Sequence, residues 1–145
     1  MGQVTARTSR TIEAPAEQVR AALADYATTR PRILTDAYGD YRVEAGGQGA
    51  GSRVHWTLQA TKSRVRDQLV DVTEDAGALV ESDTNSSMVT RWTVAPAGSG
   101  STVTVETTWN GASGIGGFFE RTFAPKGLAR IHDGVLEKLA ASVAP

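Results

Sequence analysis

The chain lacks cysteine altogether and has only two histidines, His55 and His132, among its 145 residues. The absence of thiols excludes disulfides, thiolate metal sites, iron–sulfur clusters and cysteine nucleophiles. Two imidazoles are too few for a metal centre held by several histidines, and we predict neither a metal nor a cofactor. A Ser–His–Asp site would have to use one of these two residues as its base.

Long runs of one charge and long apolar runs are also missing. The 15 basic residues nearly balance the 16 acidic ones, and since nucleic-acid-binding proteins usually carry a basic face, we expect no nucleic-acid partner. Apolar stretches such as Ala21–Ala24 are far shorter than the roughly 20 residues needed to cross a bilayer. We expect no secretory signal and no integral membrane segment. These absences predict a soluble cytoplasmic protein with a single domain over residues 1–145.

The N-terminal part predicts a strand followed by two short helices. Val4–Ile12 is rich in Thr, Ser and Val and predicts the strand. Pro15 and Glu17 suit the first turn of a helix, whereas Pro31 disfavours helical backbone at the preceding residue. We therefore predict helices over about 15–24 and 26–34.

From Tyr38 to Asn110, apolar and polar residues alternate with the period of two that half-buried strands show. Short turns separate six such strands, so an antiparallel meander is the natural connection. The Gly46–Gly51 turn has the glycine density of a phosphate-binding loop. It leads into a strand, however, and lacks the Gly-Lys-Ser/Thr signature, so we predict a hairpin turn.

The C-terminal segment supplies the cover that a sheet with one apolar face requires. From Phe119 to Leu139, apolar residues recur at steps of mostly three or four, which predicts an amphipathic helix of roughly 28 residues. Pro125 and Gly127 predict a kink or break near residues 124–127. The predicted fold class is α+β.

Two segments carry a resemblance to a known family. Residues 9–19, Ser-Arg-Thr-Ile-Glu-Ala-Pro-Ala-Glu-Gln-Val, match a strand-to-helix pattern I-x-A-P-x-x-x-V. Trp92–Val103 is similar to a late hairpin pattern P-x-x-x-G-T-x-V, with Ser101-Thr102 where Gly-Thr is usual. With the order of elements, these motifs resemble the START and birch-pollen-allergen (SRPBCC) superfamily, in particular its bacterial polyketide cyclase/dehydrase-like branch.

The resemblance implies a single START-like domain with the helix-grip fold, a curved seven-stranded antiparallel sheet wrapped around the long C-terminal helix. Its members bind lipids, sterols, polyketides or other apolar molecules in a deep cavity, and some catalyse cyclisation or dehydration. It implies that a small hydrophobic or amphipathic ligand binds between sheet and helix, or alternatively that a polyketide cyclase/dehydratase-type enzyme uses the same cavity. No catalytic motif comes with it, and the sequence does not distinguish a monomer from a dimer.

Residues on the predicted apolar face of each strand supply the candidate ligand contacts. Trp56, Trp92 and Trp109 either form ordinary core or line a cavity. Polar residues on this face are informative, because their burial is costly unless they find partners. The predicted ligand-binding residues are Tyr41, Trp56, Leu58, Gln68, Val70, Ser82, Thr90, Trp92, Thr107, Trp109, Phe119 and Phe123.

His132 and Tyr41 are the catalytic candidates. His132 lies at the edge of the apolar stripe of the predicted long helix, and its ordinary pKa of about 6.5 suits acid–base chemistry. Tyr41, like Tyr26, can offer a phenolic hydroxyl to a ligand carbonyl or serve only a structural role.

The other titratable candidates have simpler explanations. His55 falls on the polar phase of its strand, so we expect it to face solvent. We expect Arg64 and Arg66 to form cross-strand ion pairs with Glu81 or Asp83. Asp83 also suits a turn-forming Asp/Asn cluster.

Overall fold

A seven-stranded antiparallel sheet dominates the computed structural model, which describes residues 3–61, 64–110 and 125–143. The strands are β1 (Gln3–Ile12), β2 (Tyr38–Ala45), β3 (Arg53–Thr61), β4 (Arg64–Asp75), β5 (Ala78–Asp83), β6 (Val89–Ala97) and β7 (Gly100–Asn110). Their order is β1-β7-β6-β5-β4-β3-β2, so β2 to β7 form a meander and β1 pairs with its last strand. The described helices are α1 (Ala16–Ala24), α2 (Thr29–Ile33) and α3 (Pro125–Val143).

The connection between α1 and α2 is tighter than the sequence predicted. Asp25 accepts hydrogen bonds from the backbone N–H groups of Thr28 and Thr29, both at 3.2 Å. A carboxylate that binds backbone donors in this way favours a turn over a helix. The second helix therefore begins at Thr29 rather than near residue 26.

The sheet and α3 bury their apolar sides against each other. Along β7, alternate residues from Ser101 to Trp109 are buried while their neighbours are partly exposed, as expected for a sheet with one covered face. The buried residues of α3 are Leu128, His132, Val135, Leu136, Leu139 and Val143. The predicted seven-stranded helix-grip architecture is confirmed.

Pro125 is the first residue of the described helix α3. Proline is tolerated there because the first N–H of a helix needs no partner within the helix. The predicted start of this helix near Phe119, together with Phe123, lies outside the described residues. No helix of the described part is long and apolar enough to cross a bilayer.

The Gly46–Gly51 segment is the turn between β2 and β3, as predicted, and it also holds the helical connection. The carbonyl of Gly47 accepts hydrogen bonds from the N–H groups of Tyr26 and Ala27, at 3.0 and 3.2 Å. Gly47 has a φ of 133°, a conformation that side-chain-bearing residues rarely adopt. Glycine here lets the hairpin approach the residues that follow α1.

The predicted pairing of Arg66 with Glu81 is wrong, whereas the side chain of Arg64 lies outside the described part of the structure. The register places Val72 opposite Glu81 on the neighbouring strand, and Glu81 is buried with a different partner, as shown below. Asp83 instead accepts hydrogen bonds from the backbone N–H of Asn85 and the hydroxyl of Ser86. It therefore organises the turn before β6.

Candidate functional site

A small cavity lies between the inner face of the sheet and the two helices α2 and α3. Its volume is about 20 Å³, space for about one water molecule. Its walls combine aromatic and aliphatic groups with several buried polar ones. They consist of Arg30, Tyr38, Trp56, Leu58, Gln68, Glu81, Met88, Thr90, Trp92, Thr107, Leu128 and His132.

A buried ion pair forms the polar centre of this cavity. Arg30 Nη1 lies 2.8 Å from Glu81 Oε2, and both side chains are only 2% exposed. The Tyr26 hydroxyl donates to the same oxygen at 2.5 Å, and Trp92 Nε1 donates to the other oxygen at 3.0 Å. Because buried charges are costly unless paired and hydrogen-bonded, these three donors compensate the burial of the Glu81 carboxylate.

Arg30 is held in place from several sides. Its Nη1 also donates to the carbonyl of Leu23 at 3.0 Å. The guanidinium carbon lies 4.7 Å from the ring centroid of Tyr26 and 4.9 Å from that of Trp92, distances at which cations attract aromatic faces. Burial lowers the pKa of Arg30, but its neighbours, Glu81 first and then Tyr26, together outweigh burial and leave the pKa raised, so the side chain keeps its charge. Its buried Nε has no hydrogen-bond partner among the described residues.

His132 faces the cavity from α3. Its Nε2 lies 2.8 Å from the Thr107 hydroxyl, which in turn lies 2.7 Å from the hydroxyl of Thr90. Burial lowers the pKa of His132 to about 4, so the imidazole is neutral at neutral pH. Its buried Nδ1 has no hydrogen-bond partner within the part of the chain that the structure describes.

The far wall of the cavity is built around Trp56. Its Nε1 donates to Gln68 Oε1 at 2.8 Å, and Gln68 Nε2 contacts the Met88 sulfur at 3.1 Å. The ring of Tyr38 packs edge-on against the indole, with centroids 5.9 Å apart, and the ring of Tyr41 stacks on it at 6.3 Å. The amide of Gln68 thus keeps the Trp56 N–H satisfied inside an apolar wall.

Two surface grooves share a wall with the cavity. The first, which we call the α1 groove, has a volume of about 240 Å³ and is lined in part by Arg20, Leu79 and Trp92. The second, the β2 groove, has a volume of about 200 Å³ and is lined in part by Leu34 and Tyr38. Trp92 separates the cavity from the α1 groove, and Tyr38 separates it from the β2 groove.

A family model described as "Polyketide cyclase / dehydrase and lipid transport" matches residues 3–144. The chain belongs to this family. The match covers both the sheet and α3, and hence all the walls of the cavity.

Solved structures support the same fold. The chain is 54% identical to the KanY protein over the full length of both chains, with a TM-score of 0.90. It shares 17% identity with the di-domain ARO/CYC BexL from the BE-7585A biosynthetic pathway, covering 99% of this chain and 50% of BexL, with a TM-score of 0.73. A START superfamily protein from Mycobacterium smegmatis is 11% identical over 98% of this chain and 97% of its own, with a TM-score of 0.69. No curated protein matches the chain.

Many of the predicted ligand contacts meet in this cavity. The predicted residues that line it are Trp56, Leu58, Gln68, Thr90, Trp92 and Thr107, together with the catalytic candidate His132. Val70 and Trp109 are buried in the core but are not part of the cavity wall. Phe119 and Phe123 are outside the described residues and remain predictions.

Ser82 and Tyr41 lie elsewhere. Ser82 pairs with Val89 and lies on the opposite face of β5 from Glu81, which pairs with Thr90 of the cavity wall. Because Leu79 and Val80 are both apolar, the sequence allowed either set of alternate residues of β5 to face inward. The set that contains Ser82 was predicted, whereas the structure buries the set that contains Glu81. The Tyr41 hydroxyl donates to the backbone carbonyl of Tyr26 at 2.7 Å, and the residue lines the β2 groove. It thus holds the helical connection and does not reach the cavity.

The expectation that His55 faces solvent is also wrong, because the residue is only 5% exposed. Its Nε2 lies 2.6 Å from Asp67 Oδ1, and its Nδ1 lies 2.8 Å from the backbone carbonyl of Asp40. Both partners are acceptors, so the imidazolium form, in which both ring nitrogens donate, is the form that satisfies both of them. Burial lowers the pKa of His55, but the hydrogen bonds to Asp67 and Asp40 outweigh it and leave the pKa raised.

Sequence reasoning missed Arg30 and Glu81 as cavity residues. A signal for Arg30 was present, because Tyr26, Arg30 and Ile33 share one face at helical spacing. Glu81 alternates with Leu79 and Asp83, all three of them buried. Without the partner from α2, however, a carboxylate at an inner position of β5 looked unfavourable.

Proposed function

We propose that the protein binds a small hydrophobic or amphipathic molecule, lipid- or polyketide-like, in the cavity between the sheet and α3. The main support is that apolar walls surround two buried polar atoms, Arg30 Nε and His132 Nδ1, that have no hydrogen-bond partner among the residues that the structure describes. Native interiors seldom leave such groups unpaired, since each costs about 1–3 kcal/mol. An oxygen-bearing ligand can satisfy one or both while its apolar part contacts Trp56 and Leu128.

A ligand larger than one water molecule must displace part of the wall, and Tyr38 is the residue best placed to move. It is partly exposed, and it contacts the cavity wall through the edge-on packing of its ring against Trp56. Trp92, in contrast, is held by its bond to Glu81 and by the Arg30 guanidinium on its face. We therefore expect ligands to enter from the β2 groove as Tyr38 moves aside.

An enzyme of the polyketide cyclase/dehydratase type is the alternative, and membership of the family favours it. His132 would then exchange a proton with the substrate. General acid–base groups work best when their pKa lies near the working pH. With a pKa of about 4, His132 suits the role of a neutral hydrogen-bonding group better than that of a strong base. This observation favours binding.

The test compares one substitution on the two faces of the sheet. Thr90→Phe places a ring in the cavity wall, whereas Thr108→Phe places the same ring on the outer face, where Thr108 pairs with Val89. Purified wild-type protein and Thr108→Phe should retain an apolar molecule, identified by extraction and mass spectrometry, and Thr90→Phe should lose it. Equal retention by both variants, or no bound molecule and no binding of added apolar probes, contradicts the proposal.

The same preparations separate binding from catalysis. If the protein only binds, His132→Asn lowers affinity and no polyketide-like compound is converted by any variant. Conversion by the wild type that His132→Asn abolishes, with binding retained, supports the enzyme.

A further inference from the structure

We infer that Glu81 determines the charge specificity of the cavity, so that it accepts uncharged oxygen-bearing molecules such as ketones, esters or alcohols and rejects carboxylates. This inference rests on the proposed function and adds the chemical class of the ligand. It follows because the opposite charges of Arg30 and Glu81 in the cavity wall already pair with each other.

Arg30 on its own would make this cavity an anion site. A buried guanidinium presents several N–H donors and binds carboxylates through charge-assisted hydrogen bonds. Glu81 occupies this position from within the protein, at 2.8 Å and with both side chains 2% exposed. The charged residues of the wall therefore cancel each other, and the neutral His132 adds no positive charge.

A ligand carboxylate cannot take the place of Glu81 without cost. Both Glu81 oxygens already accept hydrogen bonds, from Arg30 and Tyr26 on one side and Trp92 on the other. Displacing the side chain would leave its own charge buried and unpaired, and leaving it in place would bury two anions together. Either arrangement is strongly unfavourable away from water.

An uncharged ligand meets groups that are still available. Arg30 Nε can only donate, so it requires an acceptor such as a carbonyl or hydroxyl oxygen. His132 Nδ1 accepts a hydrogen bond from a ligand hydroxyl when Nε2 donates to Thr107, and it donates a hydrogen bond in the other tautomer. Both atoms can thus be satisfied by a neutral oxygen function.

The experiment uses a pair of probes that differ in charge but hardly in shape, 2-acetonaphthone and 2-naphthoate. Binding is followed at neutral pH by the indole N–H resonances of the wild-type protein. Those of Trp56 and Trp92, which line the cavity, should shift, and that of Trp109, which does not line it, serves as the internal reference. We expect the ketone to bind at least about tenfold more tightly than the carboxylate, a difference of about 1.4 kcal/mol.

Glu81→Gln tests the residue itself. Glutamine keeps the shape and one acceptor but leaves Arg30 unpaired, so the preference should reverse in favour of 2-naphthoate. The Arg30→Gln/Glu81→Gln double variant is the matched control, because it lacks both charges and should still prefer the ketone. Replacing both partners of a buried pair is far better tolerated than removing one.

If Glu81→Gln does not fold unaided, the reversal is measured as folding induced by ligand. In that case 2-naphthoate restores the folded spectrum and 2-acetonaphthone does not. A wild type that binds both probes equally, or a Glu81→Gln variant that neither prefers nor is refolded by the carboxylate, overturns the charge specificity alone. If neither probe shifts Trp56 or Trp92 and no apolar molecule co-purifies, the proposed function fails with it.

Discussion

His55 and His132 are both buried, yet the protein shifts their pKa values in opposite directions. His55 lies on the outer side of the sheet between the Asp67 carboxylate and the Asp40 carbonyl, and these acceptors raise its pKa. His132 faces the cavity, where burial lowers its pKa to about 4. Burial opposes the charged form in both, so the difference comes from the partners. Two acceptors favour the charged form of His55, whereas the described residues offer His132 one hydroxyl at Nε2 and no partner at Nδ1.

The two residues therefore give stability opposite dependences on pH. As the pH falls below about 6.5, His132 becomes protonated in the unfolded state but stays neutral in the folded state. The free energy of unfolding therefore decreases until about pH 4, where the folded state is protonated as well. The raised pKa of His55 works the other way. The stabilisation that His55 gives the fold is fully present below the pKa of a histidine in the unfolded chain. It is lost as the pH rises through the pKa that His55 has in the folded protein.

The largest expected effect comes from breaking the inner ion pair. Glu81→Ala removes the partner of a buried guanidinium, and we expect a loss of about 3–5 kcal/mol in the free energy of unfolding. The outer face offers a matched control, since Arg53 and Asp71 form an exposed pair at 2.7 Å. Asp71→Ala should unfold at nearly the wild-type urea concentration. Equal losses from the two variants would show that burial does not determine how much each ion pair contributes to the free energy of unfolding.

The next effect concerns the decrease in the free energy of unfolding at acid pH. Relative to His132→Gln, the wild type should lose about 3 kcal/mol between pH 6.5 and pH 4, because only the wild type carries an imidazole that must stay neutral to remain buried. Urea unfolding of both proteins across this range measures the difference. Taking the difference between them removes the contribution of the carboxylates, which titrate in both. Parallel curves would mean that His132 is not desolvated.

A smaller effect should follow from removing one hydroxyl. Thr107→Val keeps the shape of a fully buried side chain but leaves Thr90 and His132 without the hydroxyl between them. We expect a loss of about 1–3 kcal/mol, measured by urea unfolding. Thr104→Val, on the outer face of the same strand, is the control and should be close to neutral. The interpretation is wrong if the two variants lose the same stability.

The smallest effect should come from His55. In His55→Gln, the loss of stability should be largest below about pH 6.5 and vanish at alkaline pH, where the wild-type imidazole is itself neutral. Because Asp67 is largely exposed, added salt should weaken this effect more than it weakens that of His132. Unfolding series at low and high salt measure both trends. A loss that stays constant with pH would show that His55 acts through packing alone.

Much of the cavity wall was predictable because each position followed from the alternation of its own strand. Trp56, Thr90, Trp92 and Thr107 were identified in this way, and all four line the cavity. Ser82 was misplaced, because apolar residues at both Leu79 and Val80 satisfied either phase of β5. The burial of His55 was missed, since its partners come from the two neighbouring strands and depend on their register.

By itself, the sequence determined the family, the meander of strands and the apolar face that α3 covers. These depend on periodicity and turn residues, which are local along the chain. Only the tertiary structure decided that Arg30 of α2 meets Glu81 of β5, that the pKa of His132 is lowered and that of His55 raised, and that the cavity is nearly closed in this conformation. Those properties depend on which polar groups come into contact when water is excluded. Because these groups are far apart in the sequence, local patterns do not reveal their contacts.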